Sequence, residues 1–167
     1  MTQTCFALAL AGLIWFTAGM LVLLAIYGLQ RSISEFYYCL SVEKKMRGVI
    51  FYAWFAATVF LMIVPMVEAG GLWGFLACVG LAFTGAAGAF KEESQKWVHF
   101  GGAFLAAVSS VVLLWRGGML GSYVQPLIVA AIAAVGTRTL RSSLVFWLET
   151  VAFYALLPAI VTYFTNL

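Results

Sequence analysis

The chemistry open to this chain rests on very few side chains. Glu149 is a carboxylate about two helical turns into the last apolar stretch, and His99 is the only histidine, at the start of an earlier one. A charged carboxylate in hydrocarbon costs several kcal/mol, so Glu149 must be protonated, be hydrogen-bonded or face a wet cavity. It could carry a proton, contact a ligand, or make a structural bond to a neighbouring helix. His99 falls at a similar depth, and a His99–Glu149 pair could relay a proton; the plainer alternative is an interfacial histidine bonded to a loop backbone. Arg47 opens the second apolar stretch, where it could reach lipid phosphates or an anionic head group. Gln125 precedes Pro126 inside the fifth stretch, and a proline there is expected to free backbone carbonyls. Ser34 and Tyr38, in the long first loop, complete the candidates for ligand binding or proton relay. Glu68, Ser143 and Thr150 are lesser polar groups.

The absences narrow the chemistry further. The chain has no aspartate and one histidine, which excludes a multi-histidine zinc site, a Ser-His-Asp triad and an aspartate-rich metal centre. No Gly-x-Ser-x-Gly elbow and no phosphate-binding glycine loop occur. No metal, cofactor or catalytic residue is therefore assigned. An intramembrane lipid-modifying enzyme would need His99 working with Glu149 or a serine. Cys5, Cys39 and Cys78 lie far apart and read as free thiols. The basic residues are scattered over small loops, which gives no support to nucleic-acid binding.

What must position these groups is a membrane domain. Hydrophobic residues make up 65% of the chain and charged ones 9%, far from the quarter usual in soluble domains. Six apolar stretches, each near the roughly 20 residues needed to cross a bilayer, fill 1–167 and leave no room for a soluble domain. They run over about 5–27, 49–67, 71–90, 98–115, 119–135 and 143–164. The first lacks a basic start and reads as a retained span rather than a signal peptide. Eight of the nine basic residues fall in loops one, three and five, with Arg116 alone on the other side. The positive-inside rule then puts those loops in the cytoplasm and both termini outside. The fold expected is an all-α, polytopic helix bundle of six transmembrane helices with short loops, a single integral membrane domain. If the fifth stretch were re-entrant, the count would fall to five.

Within that frame, Ser32 or Ser34 could cap a short amphipathic helix beginning near Glu35, with Phe36, Tyr37 and Tyr38 at the membrane interface. Gly74, Cys78, Ala82, Gly85 and Ala89 form a small-residue stripe in the third stretch. His99, Gly102 or Ala103, Ala106, and Ser109 or Ser110 form another in the fourth. Such stripes let helix backbones approach in lipid, so these two segments are expected to pack antiparallel.

Ser32-Ile33-Ser34-Glu35-Phe36-Tyr37-Tyr38, followed by Arg47, and Lys96-Trp97-Val98-His99-Phe100 resemble segments of a group of uncharacterised bacterial multi-pass inner-membrane proteins. The resemblance covers about a sixth of the chain. It implies a cytoplasmic-side cluster of Ser34, Arg47 and His99, and brings no activity with it. The function expected is binding or moving a lipid or small amphiphile through a cytoplasmic-leaflet cavity near Glu149 and His99. The partners are then membrane lipid and either further copies of the chain or another membrane protein. The alternatives are a small accessory or regulatory subunit and the lipid-modifying enzyme.

Overall fold

The computed structural model describes residues 2–43, 48–136 and 142–166, and among these every regular element is helical. The helices are α1 (Thr2–Tyr27), α2 (Glu35–Glu43), α3 (Gly48–Gly70), α4 (Leu72–Ala86), α5 (Glu93–Arg116), α6 (Val124–Gly136) and α7 (Leu144–Thr165); a 3-10 turn, Leu120–Tyr123, precedes α6. Four of them, α1, α3, α5 and α7, are long and apolar enough to cross a membrane. At 22 to 26 residues they reach about 33–39 Å, against a hydrocarbon core of about 30 Å. The chain is a helical bundle of the integral membrane kind.

The other two apolar helices are shorter than the sequence suggests. The third stretch stops being helical at Ala86, leaving α4 with 15 residues, about 22 Å. Beyond it Ala87 and Ala89 turn inward and are buried, and Gly88 lies against the rings of Tyr37 and Tyr52, where a Cβ would sit 3.1 Å from Tyr52. The fifth stretch divides into the 3-10 turn and the 13 residues of α6. Pro126 falls in the first turn of α6, where an N–H has no intrahelical partner, so it breaks no helical hydrogen bond. The expected mid-helix interruption at Gln125-Pro126 is instead a helix start.

Packing follows from where small residues and aromatic rings fall. With no hydrophobic drive between helices in lipid, close van der Waals contact decides the pairing. Gly19 of α1 makes room for the Trp54 ring of α3. The two indoles there bond reciprocally: Trp15 Nε1 donates to the Trp54 carbonyl at 3.1 Å and Trp54 Nε1 to the Trp15 carbonyl at 3.4 Å. Phe16 stacks on Phe153 of α7 at 4.4 Å and on Trp54 at 5.2 Å, which centres the core on α1, α3 and α7. Gly71, at φ +55°, turns the chain directly from α3 into α4, a conformation that favours glycine.

The small stripe expected on the third stretch serves two neighbours. Gly74 and Cys78 meet Met66, and Gly85 meets Phe55, all on α3, whereas Ala82 is exposed. Gly80, one step round the helix, touches the backbone of α5 at Gly102 and Ala106. The result is a row, α6–α7–α1–α3–α4–α5, curled so that its arms α5 and α7 face each other with little direct contact.

Candidate functional site

The first part of loop one, between α1 and α2, lies across the open end of that curl. The first-turn N–H groups of a helix lack intrahelical partners, and in α7 one of them, Phe146, donates to the Arg31 carbonyl at 2.9 Å. One turn further along, Glu149 Oε2 accepts the Ile33 N–H at 2.6 Å. Two backbone groups of loop one are thereby fixed to the start of α7.

The next residue, Ser34, turns to the opposite wall. Its hydroxyl lies 3.4 Å from His99 Nε2, and both side chains are buried. His99 Nδ1 lies 3.1 Å from the Thr84 carbonyl of α4. A carbonyl only accepts, so Nδ1 carries the hydrogen; in the neutral ring Nε2 then accepts and Ser34 donates. Phe90 stacks on the imidazole at 5.0 Å and holds its plane. Ser34 directly precedes α2, where a serine hydroxyl ordinarily turns back onto its own helix. Here Ser32 takes that role, accepting the Glu35 N–H at 3.3 Å, and Ser34 is left for His99.

His99 and Glu149 are thus brought to one end of the bundle but do not bond each other. They hold successive residues of loop one, Ser34 and Ile33, which stand between them. The direct His99–Glu149 pair expected from their equal depth does not form. The Ser34 hydroxyl could pass its proton to His99. The adjacent N–H of Ile33 is committed to Glu149, so that donor is not free to steady an oxyanion.

The remaining candidates separate. Tyr38 accepts the Lys91 N–H at 2.5 Å, and Lys91 Nζ sits 3.0 Å from Glu35 and 4.4 Å from the Tyr38 ring centre. Burial pushes the Tyr38 phenol above its usual range, and the side chain tethers α2 to the loop after α4. The loop-one aromatics expected at the lipid interface face the protein: Phe36 is fully buried, and Tyr37 packs on Phe51 and Tyr52. Gln125 lies in a separate cleft of about 460 Å³ with Tyr154, Thr162 and Asn166, toward the far end of α7. Glu68 is exposed in the last turn of α3. Arg47 lies outside the described residues. No group of three or more His, Cys or Glu that could hold a metal occurs among the described residues.

Behind the Ser34–Glu149 end, a cavity of about 440 Å³ fills the gap between α5 and α7. Ala103, Ala107 and Val111, four residues apart, form its α5 wall; Leu148, Ala152 and Leu156 form its α7 wall; Phe55 and Leu81 lie behind. Its α5 wall is about 12 Å long. Val111 and Leu148 are 45% and 57% exposed, so the gap opens sideways, toward lipid. Thr84 lines the cavity and was not among the sequence candidates, although it is the only hydroxyl residue in the third apolar stretch. No protein-family model, curated protein or solved structure matches the chain.

Proposed function

We propose that this is a bacterial inner-membrane protein that binds or moves a lipid or small amphiphile through the cavity between α5 and α7. The observation that carries the reading is the cavity itself. It lies in the size range of small-molecule sites, is walled mainly by alanines and leucines, opens sideways, and gathers its one carboxylate with the Ser34 and Thr84 hydroxyls at one end, while Ser110 and Tyr123 are the polar residues elsewhere in its lining. A site of that shape suits a molecule with a hydrocarbon chain and a polar head. Native mass spectrometry of the protein, purified gently from its own membrane, tests it. A bound lipid-sized adduct is expected, and Ala107→Trp or Ala152→Phe, which fill the cavity, should remove most of it. A bare protein, unchanged by either substitution, would overturn the reading in favour of an accessory subunit packing on other membrane proteins.

In this reading all six apolar segments cross, with α4 and α6 as short spans, and loops one, three and five are cytoplasmic. The one-residue turn at Gly71 supports it for α4, since that helix must run back along α3 until Thr84 meets His99 beside loop one. Cys39, half-buried in α2, reports the sidedness, because Cys5 and Cys78 are buried. A membrane-impermeant maleimide should label Cys39 in inverted vesicles and not in intact cells. Burial, then the Glu35 charge, pushes this thiol up. The thiolate is the nucleophile, so labelling should rise with pH through a midpoint above that of a free cysteine. Labelling in intact cells would reverse the orientation.

A further inference from the structure

We infer that the amphiphile this cavity takes carries an amine, bound as its ammonium by Glu149 with Ser34 and Thr84 alongside. The inference rests on the cavity reading above and names the head group.

The argument is an account of protons at the polar end. The Thr84 hydroxyl donates to the Gly80 carbonyl at 2.8 Å. The Ser34 hydroxyl donates to His99 Nε2, because the Thr84 carbonyl fixes the other ring nitrogen as the donor. Glu149 Oε2 receives the Ile33 N–H, and Oε1 has no hydrogen-bond or ion-pair partner among the described residues. All three side chains line the cavity. Among the described residues, this end of the cavity therefore offers acceptors and no uncommitted donor. Lys91, in the loop after α4, is held by Glu35 on α2.

A ligand that satisfies such a site brings donors. A primary ammonium has three, and it also supplies the opposite charge that a carboxylate in apolar surroundings needs. An alcohol brings one donor and no charge. A carboxylate or phosphate head brings neither and meets Glu149 as a like charge. The alanine walls beyond suit one hydrocarbon chain.

The test uses three probes with the same chain: dodecylamine, dodecanol and dodecanoate. Each is added to the purified full chain in a non-ionic detergent, and binding is read by native mass spectrometry with competition between them. Dodecylamine should bind about tenfold to a hundredfold tighter than dodecanol, as expected for a charge-assisted over a neutral contact, and dodecanoate weakest. Glu149→Gln should erase the amine preference, read as the ratio of dodecylamine to dodecanol bound in competition, because the alcohol meets the same side chain. Its amide oxygen can still accept the Ile33 N–H, so loop one stays docked. Equal binding of amine and alcohol, or a preference that survives Glu149→Gln, would overturn the inference and leave the cavity standing. Binding of none of the three, with Ala107→Trp indistinguishable from the parent, would overturn the cavity reading with it.

Discussion

Gly80→Leu is expected to abolish the folded bundle, and Gly80→Ala to lower its stability by about 1–3 kcal/mol. A Cβ at Gly80 would run into the Ala106 amide nitrogen, 2.7 Å from the Gly102 carbonyl and 2.8 Å from the Ala106 Cα. All three are backbone, so no side chain can swing aside and the helices themselves must part. The better helix propensity of alanine offsets only about 1 kcal/mol of that. Parting α4 from α5 would also draw the Thr84 carbonyl away from His99, so the site loosens along with the fold. Gly101, one position before Gly102 on α5, has nothing within 4 Å of its would-be Cβ. Gly101→Ala should therefore be neutral or stabilise by about 0.5–1 kcal/mol. Cys78, buried two residues from Gly80, is the reporter once Cys5 and Cys39 are replaced by serine. Its reaction with a fluorogenic maleimide during heating should move to lower temperature in Gly80→Ala and not in Gly101→Ala. Equal behaviour of the two variants would remove the close backbone contact from the account.

Much of this was legible in the residue types, because lipid makes polarity informative. Glu149, His99 and Ser34 stand out in an apolar chain, and they do converge at one end of the bundle. Gly74, Gly85 and Gly102 read as close approaches and are close approaches. What escaped was connectivity. A histidine and a glutamate at equal depth suggest a pair, but sequence carries no sign that the backbone of Ile33 and the hydroxyl of Ser34 would stand between them. Span length escaped too. Hydropathy continues through residues 87–90, yet the Tyr37 and Tyr52 rings pack against Gly88 and the helix has already ended. Proline misleads for a similar reason: its effect depends on its place in the helix, and at Pro126 the lost N–H has no partner within the helix to lose. Thr84 gives no signal in the sequence because hydroxyls commonly bond their own helix, as this one does with Gly80; its carbonyl, invisible to composition, is what holds His99.

Glu149→Leu is expected to release loop one, whereas Glu149→Gln holds it. The leucine fills the volume but leaves the Ile33 N–H without an acceptor in a buried setting, a loss of about 1–3 kcal/mol. Ile33 itself is 2% exposed, so water does not readily take the place of the carboxylate. Of the two ties to α7, only the Phe146 N–H to Arg31 carbonyl bond would remain, two residues upstream. Ser34 follows Ile33 directly, and its 3.4 Å contact with His99 should be lost as the loop swings. Hydrogen–deuterium exchange reads this at the peptide containing Ile33. Exchange there should accelerate about tenfold to a hundredfold in Glu149→Leu, the range that free-energy loss implies, and stay near the parent rate in Glu149→Gln. Cys39, a few residues along in α2, should become more reactive in the leucine variant alone. The contrast separates two roles of one side chain. If the glutamine variant keeps loop one docked yet loses amine selectivity, the hydrogen bond through Oε2 is what folds the loop and the charge is what chooses the ligand. If both variants free the loop alike, Glu149 holds it by charge, and its neutral amide cannot serve as the control for binding.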